Sequence, residues 1–302
     1  MTSSLSRRHR VGGLRSRGPI DRNVTMRVKE VRRRVVSYSL LVLASVGALL
    51  PIYWIVNTSL KPERNVVSSP PEWVPSPITL DNYANVINNS TLPTNFYNSL
   101  IVAAFTIILV LLVGIHAGYA AARFTFRGKE SVMFVMLSTI MLPGIVTLIP
   151  QYLLAVSLGI YDTYLVLVLV FAAAQTPVVV WILRASFESV PRELDEAAMV
   201  DGCSRLGAFY RVVLRLALPG IAAAALLTFV GVWNEFILAL NLTASDEVRP
   251  ATVALYFFLG EDGVQWGRLA AASTLVVLPV CVVFIFLQKR FVAGLTAGAT
   301  KG

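Results

Sequence analysis

Residues 97–121 read Tyr97-Asn-Ser-Leu-Ile-Val-Ala-Ala-Phe-Thr-Ile-Ile-Leu-Val-Leu-Leu-Val-Gly-Ile-His-Ala-Gly-Tyr-Ala-Ala121, without one Lys, Arg, Asp or Glu. A helix rises about 1.5 Å per residue, so roughly 20 apolar residues cross the hydrocarbon of a bilayer. Five further stretches have this character: 36–59, 132–155, 163–183, 217–242 and 267–288. No charge occurs between Glu130 and Asp162. That interval is too short for two spans plus a loop, so one helix and a loop containing Pro143, Gly144 and Pro150 are expected there. The composition agrees with this reading. Of 302 residues, 56% are hydrophobic and 14% charged, with a mean hydropathy of +0.69. A soluble domain carries about 25% charged residues. The expected class is an all-α integral membrane protein with six transmembrane helices.

Orientation follows from the basic residues, because loops rich in Lys and Arg stay in the cytoplasm. All but four of the 26 Lys and Arg fall before residue 36, in the 122–131 and 184–216 loops, or after residue 288. The four on the other side are Lys61, Arg64, Arg249 and Arg268. Both termini are therefore expected in the cytoplasm. The net charge of +9 is then a topological signal, which speaks against nucleic acid as a partner. Residues 1–35 read as a basic, disordered cytoplasmic tail touching anionic headgroups, and residues 291–302 as a short cytoplasmic end. The tail is not a signal peptide, since the apolar segment after it is too long and lacks a small-residue cleavage pattern. Cys203 and Cys281 fall too far apart for a disulfide. With only His9 and His116 as histidines, neither a metal site nor a histidine-based catalytic centre is expected.

The connections differ in character. The first, about 60–96, is external and opens with Pro62, Pro70, Pro71, Pro75 and Pro77, which forbid a long helix. Asp81 should then cap a short helix through Val86 and Ile87. Ser157 to Asp162 is a tight external turn. The external 243–266 connection holds Asp246, Glu247, Glu261 and Asp262 around the apolar run 254–259. That run either packs on the helix ends or folds into the mouth of a pathway.

The internal connection 184–216 is far longer than two adjacent helix ends need. Pro191 suits a first helical turn, with Glu193, Asp195 and Glu196 at its positive end. Ala197, Ala198 and Met199 favour helix, and Gly202 can take the left-handed conformation that stops one. Ser204 can cap a second helix through Phe209 to Leu214. Two small alanines beside a glycine turn make a blunt projection. It either inserts into a partner's groove or lies flat on the membrane.

The string Glu196-Ala197-Ala198-Met199-Val200-Asp201-Gly202-Cys203-Ser204, followed by Val212 and Leu214, resembles the EAA loop of ABC-type import permeases. It is close to the form in the carbohydrate-uptake, maltose-type branch. Ser59-Leu60-Lys61-Pro62, Asp81-Asn82-Tyr83, Asn98-Ser99-Leu100, Trp233-Asn234-Glu235-Phe236 and the end Gly294 to Gly302 resemble the second-subunit type of sugar permease. Where the family has a proline after the position of Leu214, this chain has Arg215, and its proline comes only at Pro219.

The resemblance implies a type I ABC importer permease fold over 36–290. It also implies an ATPase-coupling loop comprising Glu196, Ala197, Ala198, Asp201, Gly202, Ser204 and Phe209, with its docking tip from Glu196 through Ser204. It implies four kinds of partner: a second homologous permease, a homodimer of ATP-binding subunits, an extracytoplasmic solute-binding protein, and the lipid bilayer of a bacterial cytoplasmic membrane. This chain contains no phosphate-cradling Gly-rich motif, so ATP and Mg belong to the partner ATPase and no cofactor is expected here.

Polar groups at membrane depth face the protein interior. Gln175, Trp233, Asn234 and Glu235 either line a sugar pathway, with Trp233 stacking on a pyranose, or hold helices together. His116, Gly114 and Gly118 mark close helix packing. A permease for glycerol phosphate or a phosphodiester would want positive charge in its pathway. Only Arg268, at an edge, lies in the six spans. A self-contained secondary transporter would need ion sites and no long elbow, and motifs for a membrane-embedded enzyme are lacking.

Overall fold

The computed structural model describes residues 19–260 and 263–299, with side chains over 30–259 and 263–286. The basic residues Arg7 to Arg17 and the end Thr300 to Gly302 lie outside the described residues. The chain divides into two units after Trp54. The first unit is made by helix α1 (Pro19–Ser59), which runs on into the second. Residues 19–35 are thus helical rather than a tail. Arg34 pairs with Glu30 one turn earlier at 2.9 Å, a spacing that supports a solvated helix. Leu40, Leu41 and Leu43 on α1 are exposed, as suits a lipid-facing surface.

The second unit begins with two short helices, α2 (Glu63–Val66) and α3 (Asp81–Asn88). Asp81 is the first residue of α3 rather than its cap. Its amide is accepted by the Thr79 hydroxyl at 3.1 Å, so Thr79 does the work expected of Asp81. Helix α4 (Leu92–Arg123) spans 32 residues, about 48 Å. Where one helix and a loop containing Pro143, Gly144 and Pro150 were expected, two helices, α5 (Lys129–Ile140) and α6 (Gly144–Ser157), meet at 98°. Pro143 causes the break, since it fixes its own backbone and disfavours helix before it. Pro150 lies inside α6 rather than in a loop. Gly159 and Asp162, with φ of +68° and +57°, make the tight turn into α7 (Tyr164–Glu188).

Beyond the elbow described below, which contains α8 (Arg192–Val200), α9 (Arg205–Ala208) and α10 (Leu214–Leu216), the chain enters α11 (Leu218–Trp233). The span expected over 217–242 is broken: α11 ends at Trp233 and α12 (Ile237–Leu242) follows. Helix α13 (Ala251–Tyr256) packs on α4 and on the last helix, α14 (Trp266–Ala299). Of the apolar run 254–259, Ala254 is buried and Leu255 and Phe258 pack against the core, while Tyr256, Phe257 and Leu259 are exposed. A two-stranded hairpin, β1 (Leu259–Gly260) with β2 (Gly263–Val264), leads into α14. That helix continues through residues 291–299, where a tail was expected. By length and composition the described residues provide four membrane-crossing helices, or six if each bent pair counts as one span.

Helix α4 packs most closely on α7. A Cβ on Gly114 would meet Val179 Cγ1 at 2.7 Å, and one on Gly118 would meet Leu183 Cβ at 2.9 Å and the Arg184 backbone nitrogen at 3.1 Å. Small residues let membrane helices approach backbone to backbone.

At the Leu92 end of α4, polar side chains fasten the loops. Asn82 Nδ2 donates to the carbonyls of Ser59 (2.9 Å) and Lys61 (2.8 Å). The Ser59 and Tyr83 hydroxyls share a bond of 2.7 Å. Asn95 and Asn98 each donate to the carbonyls of Asp246 and Arg249, and the Ala251 amide donates to Ser99 Oγ at 2.8 Å. The Asp162 carboxylate accepts the amides of Ala244 (2.8 Å) and Ser245 (3.1 Å). Burial would raise the Asp162 pKa, but these amides and the nearby Arg249 outweigh it and hold the carboxyl below its ordinary value.

Gly118→Ala is expected to lower the stability of the solubilised protein by about 1–3 kcal/mol through overpacking. Gly47→Ala, with nothing within 4 Å, should cost nothing; thermal unfolding in detergent compares the two. Asp162→Ala should cost about 1–3 kcal/mol by orphaning two amides. The folded pKa of Asp162 lies below the unfolded one, so its contribution is complete above about pH 4 and fades as pH falls through the depressed folded value. A pH series of unfolding midpoints on both proteins reads this directly.

Candidate functional site

The elbow sits at the Arg123 end of α4. Pro191 precedes α8 as its N-cap, with φ −56° and ψ 136°, one position earlier than the first turn it was expected to occupy. Glu193 and Asp195 lie in the first turn, where they meet the positive end of the helix dipole. At the other end Gly202 has φ +89°. The Cys203 amide donates to the Ala198 carbonyl at 3.0 Å, and the Gly202 amide to Met199 at 3.1 Å. This is a Schellman stop, which needs a left-handed residue at the turn. Ser204 then caps α9, its hydroxyl accepting the Gly207 amide at 3.1 Å.

Residues Phe209–Val213 form a π-helical turn, followed by α10. The helix bends by 71° between Arg205–Leu216 and α11. Arg215 is exposed, and Pro219 stands in the first turn of α11. The break thus falls at Ala217, two residues after Arg215 and two before the proline this chain does have. Turns of π-helix are rare and frequent at functional sites.

The predicted loop residues separate into two groups. Glu196, Ala197, Asp201, Gly202 and Ser204 are exposed. Beside them Val200 is 87% exposed and Leu206 67%, apolar side chains flanked in sequence by the exposed Glu196, Asp201 and Arg205. Ala198, by contrast, is buried, because successive helical residues point about 100° apart and only one alanine can face outward. Phe209 is also buried, at 1% exposure. Its ring lies 4.2 Å from that of Tyr119 and 6.1 Å from Phe187. Phe209 is therefore the root of the elbow in the core of α4 and α7, not part of its outer surface. His116 extends this root: its Nε2 bonds the Tyr210 hydroxyl at 2.8 Å and its Nδ1 reaches the Leu112 carbonyl at 2.7 Å.

Two residues were missed in the sequence, Arg123 and Asp195, whose side chains meet at 2.7 Å and are 7% and 13% exposed. They border a cleft of about 140 Å³ with Tyr119, Phe124 and Arg192. Arg123 reads as a topological charge and Asp195 as a helix-start residue; only their pairing shows more.

The residues expected to line a pathway are scattered in role. Trp233 is buried, its indole N–H donated to the Val276 carbonyl at 3.0 Å, with Phe229 stacked on it and Phe96 edge-on. Its face is occupied by protein. The Gln175 amide lies so close to Gly231 that a Cβ there would collide with it. Asn234 is exposed and donates to the Val230 carbonyl at 2.8 Å, while Glu235 Oε1 accepts the Leu238 amide at 3.0 Å. Both lie in the break between α11 and α12. Among the described residues, no group of three His, Cys, Asp or Glu could hold a metal ion.

Residues 111–296 match the family described as binding-protein-dependent transport system inner membrane component. The chain is 34% identical to the trehalose transport system permease protein of Mycobacterium tuberculosis over 89% of its length and 99% of the relative's. It is 34% identical to the sulfoquinovosyl glycerol transport system permease protein of Agrobacterium fabrum over 85% and 90%. With the trehalose/maltose transport system permease protein of Thermococcus litoralis the identity is 32% over 91% and 99%. A solved chain from a bacterial ABC transporter involved in the import of the acidic polysaccharide alginate superposes with a TM-score of 0.75 at 24% identity, covering 87% of this chain and 98% of that one. With the long apolar helices and the elbow already in place, these matches agree on one conclusion: the chain belongs to the family of binding-protein-dependent transport system inner membrane components and is an ABC transporter permease.

Proposed function

We propose that this permease forms half of the transmembrane pathway of an ATP-driven sugar importer, and that α8 and its Gly202 stop are the element an ATPase subunit grips. The exposed tip of Glu196, Ala197, Val200 and Leu206 carries the reading. Exposed apolar side chains with Glu196, Asp201 and Arg205 near them in sequence, on an elbow rooted through buried Phe209, suit rigid-body insertion into a partner's groove. In this reading the chain crosses the membrane six times, with both termini in the cytoplasm beside the elbow. ATP and Mg are bound by a separate pair of subunits. A second permease completes the pathway, and an extracytoplasmic solute-binding protein delivers the solute.

A sugar as solute is supported by the relatives, whose names specify trehalose, diacetylchitobiose, trehalose/maltose and sulfoquinovosyl glycerol. Within the helices, the exposed Asn234 at the α11–α12 break supplies an amide for hydroxyls. Irregular backbone at membrane depth is tolerated where it lines a cavity or is buried in protein. The scarcity of Lys and Arg in the spans favours a neutral sugar over a phosphodiester.

Gly202→Pro, which cannot adopt φ +89°, should reduce stimulation of ATP hydrolysis by loaded binding protein about tenfold or more in the assembled complex. Unchanged stimulation would sink the docking role. Ser204→Ala should weaken the cap by about 1 kcal/mol, raising hydrogen exchange at the Gly207 amide several-fold. Calorimetry on the cognate binding protein should find a neutral di- or oligosaccharide ahead of any phosphorylated solute; the reverse order would favour the phosphodiester reading.

A further inference from the structure

The geometry points to Arg123 as a positioning residue: paired with Asp195, it latches α8 to α4, so that displacement of the elbow is carried into a helix of 32 residues. This inference rests on the reading of α8 as the ATPase-docking element.

Helix α8 packs on α9 and on the π-helical turn that follow it in the chain. Its ties to α4 are made by side chains. The Arg123 guanidinium lies with Nε 2.7 Å from Asp195 Oδ2 and donates through Nη2 to the Val190 carbonyl at 2.8 Å. Arg192, the first residue of α8, donates back to the Ala122 carbonyl at 3.3 Å. One buried cation therefore holds both the turn that enters α8 and the first turn of α8 itself. Arginine suits this task because its planar fork serves two acceptors at once and never loses its charge.

The pairing is ionic rather than an aligned hydrogen bond. The Nε–H is not aimed at the carboxylate, and Arg123 Nε and Asp195 Oδ1 are both buried without a hydrogen-bond partner. A contact of this kind resists separation, because parting it leaves an uncompensated buried charge. At the carboxylate it also tolerates a change of angle, because no directional bond has to break there. Those are the mechanical properties of a pivot.

Helix α4 meets the elbow at three successive points on one side. His116 bonds Tyr210, Tyr119 packs on Phe209, and Arg123 grips Asp195. The first two hold the root; the third, with the Ala122 carbonyl beside it, reaches the docking helix. At its other end the same helix offers Asn95, Asn98 and Ser99 to the 244–251 loop. The latch thus stands at one end of a continuous rod of about 48 Å, and a loop at the opposite end is fastened to that rod.

The test uses the assembled complex of both permeases and the ATPase subunits in proteoliposomes with loaded binding protein. Arg123→Gln and Asp195→Asn should each retain the ATPase subunits on co-purification and lose about tenfold in stimulated transport. The double variant R123Q/D195N should be no worse than the worse single one, since both remove one interaction. Arg123→Lys, which keeps charge without the fork, should lose less than Arg123→Gln. Full transport in both single variants, losses that multiply in the double variant, or loss of the ATPase subunits from all of them would each overturn the latch. Gly202→Pro in the same preparations separates the two levels. If it leaves stimulation intact, the docking role of α8 fails; if it abolishes stimulation while Arg123→Gln does not, the latch alone fails.

Discussion

At Gly118 the backbone of α4 runs so close to Leu183 and Arg184 of α7 that no side-chain atom fits between them. In hydrocarbon there is no hydrophobic force to press helices together, so this contact depends on dispersion between surfaces that match closely. Its consequences extend along both helices. The approach places Tyr119 beside Phe187, and these two rings form the cradle into which Phe209 inserts. At the other end it brings Asn98 within reach of the Tyr164 hydroxyl, at 2.6 Å.

The polar residues serve the same architecture in a different way. Loops at a membrane surface carry backbone groups that must find partners. Here asparagine amides supply them: Asn82 binds the carbonyls of Ser59 and Lys61, and Asn95 and Asn98 bind those of Asp246 and Arg249. The short motifs around Ser59, Asn82 and Asn98 look unrelated along the chain. In the fold, the first two are halves of one knot and the third holds another. Their resemblance to a family is thereby given a physical cause, since each side chain satisfies carbonyls far away in sequence.

Much of the fold was legible because hydropathy and charge act locally. The apolar stretches, the elbow with its glycine stop and the Ser204 cap all follow from a few neighbouring residues. The misreadings share another origin. Pro143 and Pro150 read together as a loop, yet only Pro143 parts two helices and Pro150 lies inside the second. The gap at Asn234 to Phe236 lies inside an apolar segment and leaves no trace in average hydropathy. Trp233 read either as a sugar platform or as a tie between helices, and only the fold shows Phe229 and Phe96 over its ring and Val276 on its indole N–H. Ala197 and Ala198 looked equivalent as a pair, yet helical geometry turns one outward and the other into the core.

The sequence by itself determined that this chain belongs in a bilayer, that it carries a helix–glycine–helix elbow, and to which family it is related. Each of these depends on residue type within a window of one or two helical turns. Only the tertiary structure decided which elbow residues face outward, that Phe209 is buried against Tyr119 and Phe187, and that Arg123 meets Asp195. Those residues are 72 positions apart, and no local rule of charge or periodicity pairs them. Their meeting is set by the packing of α4 on α7, which places the end of one helix beside the start of another.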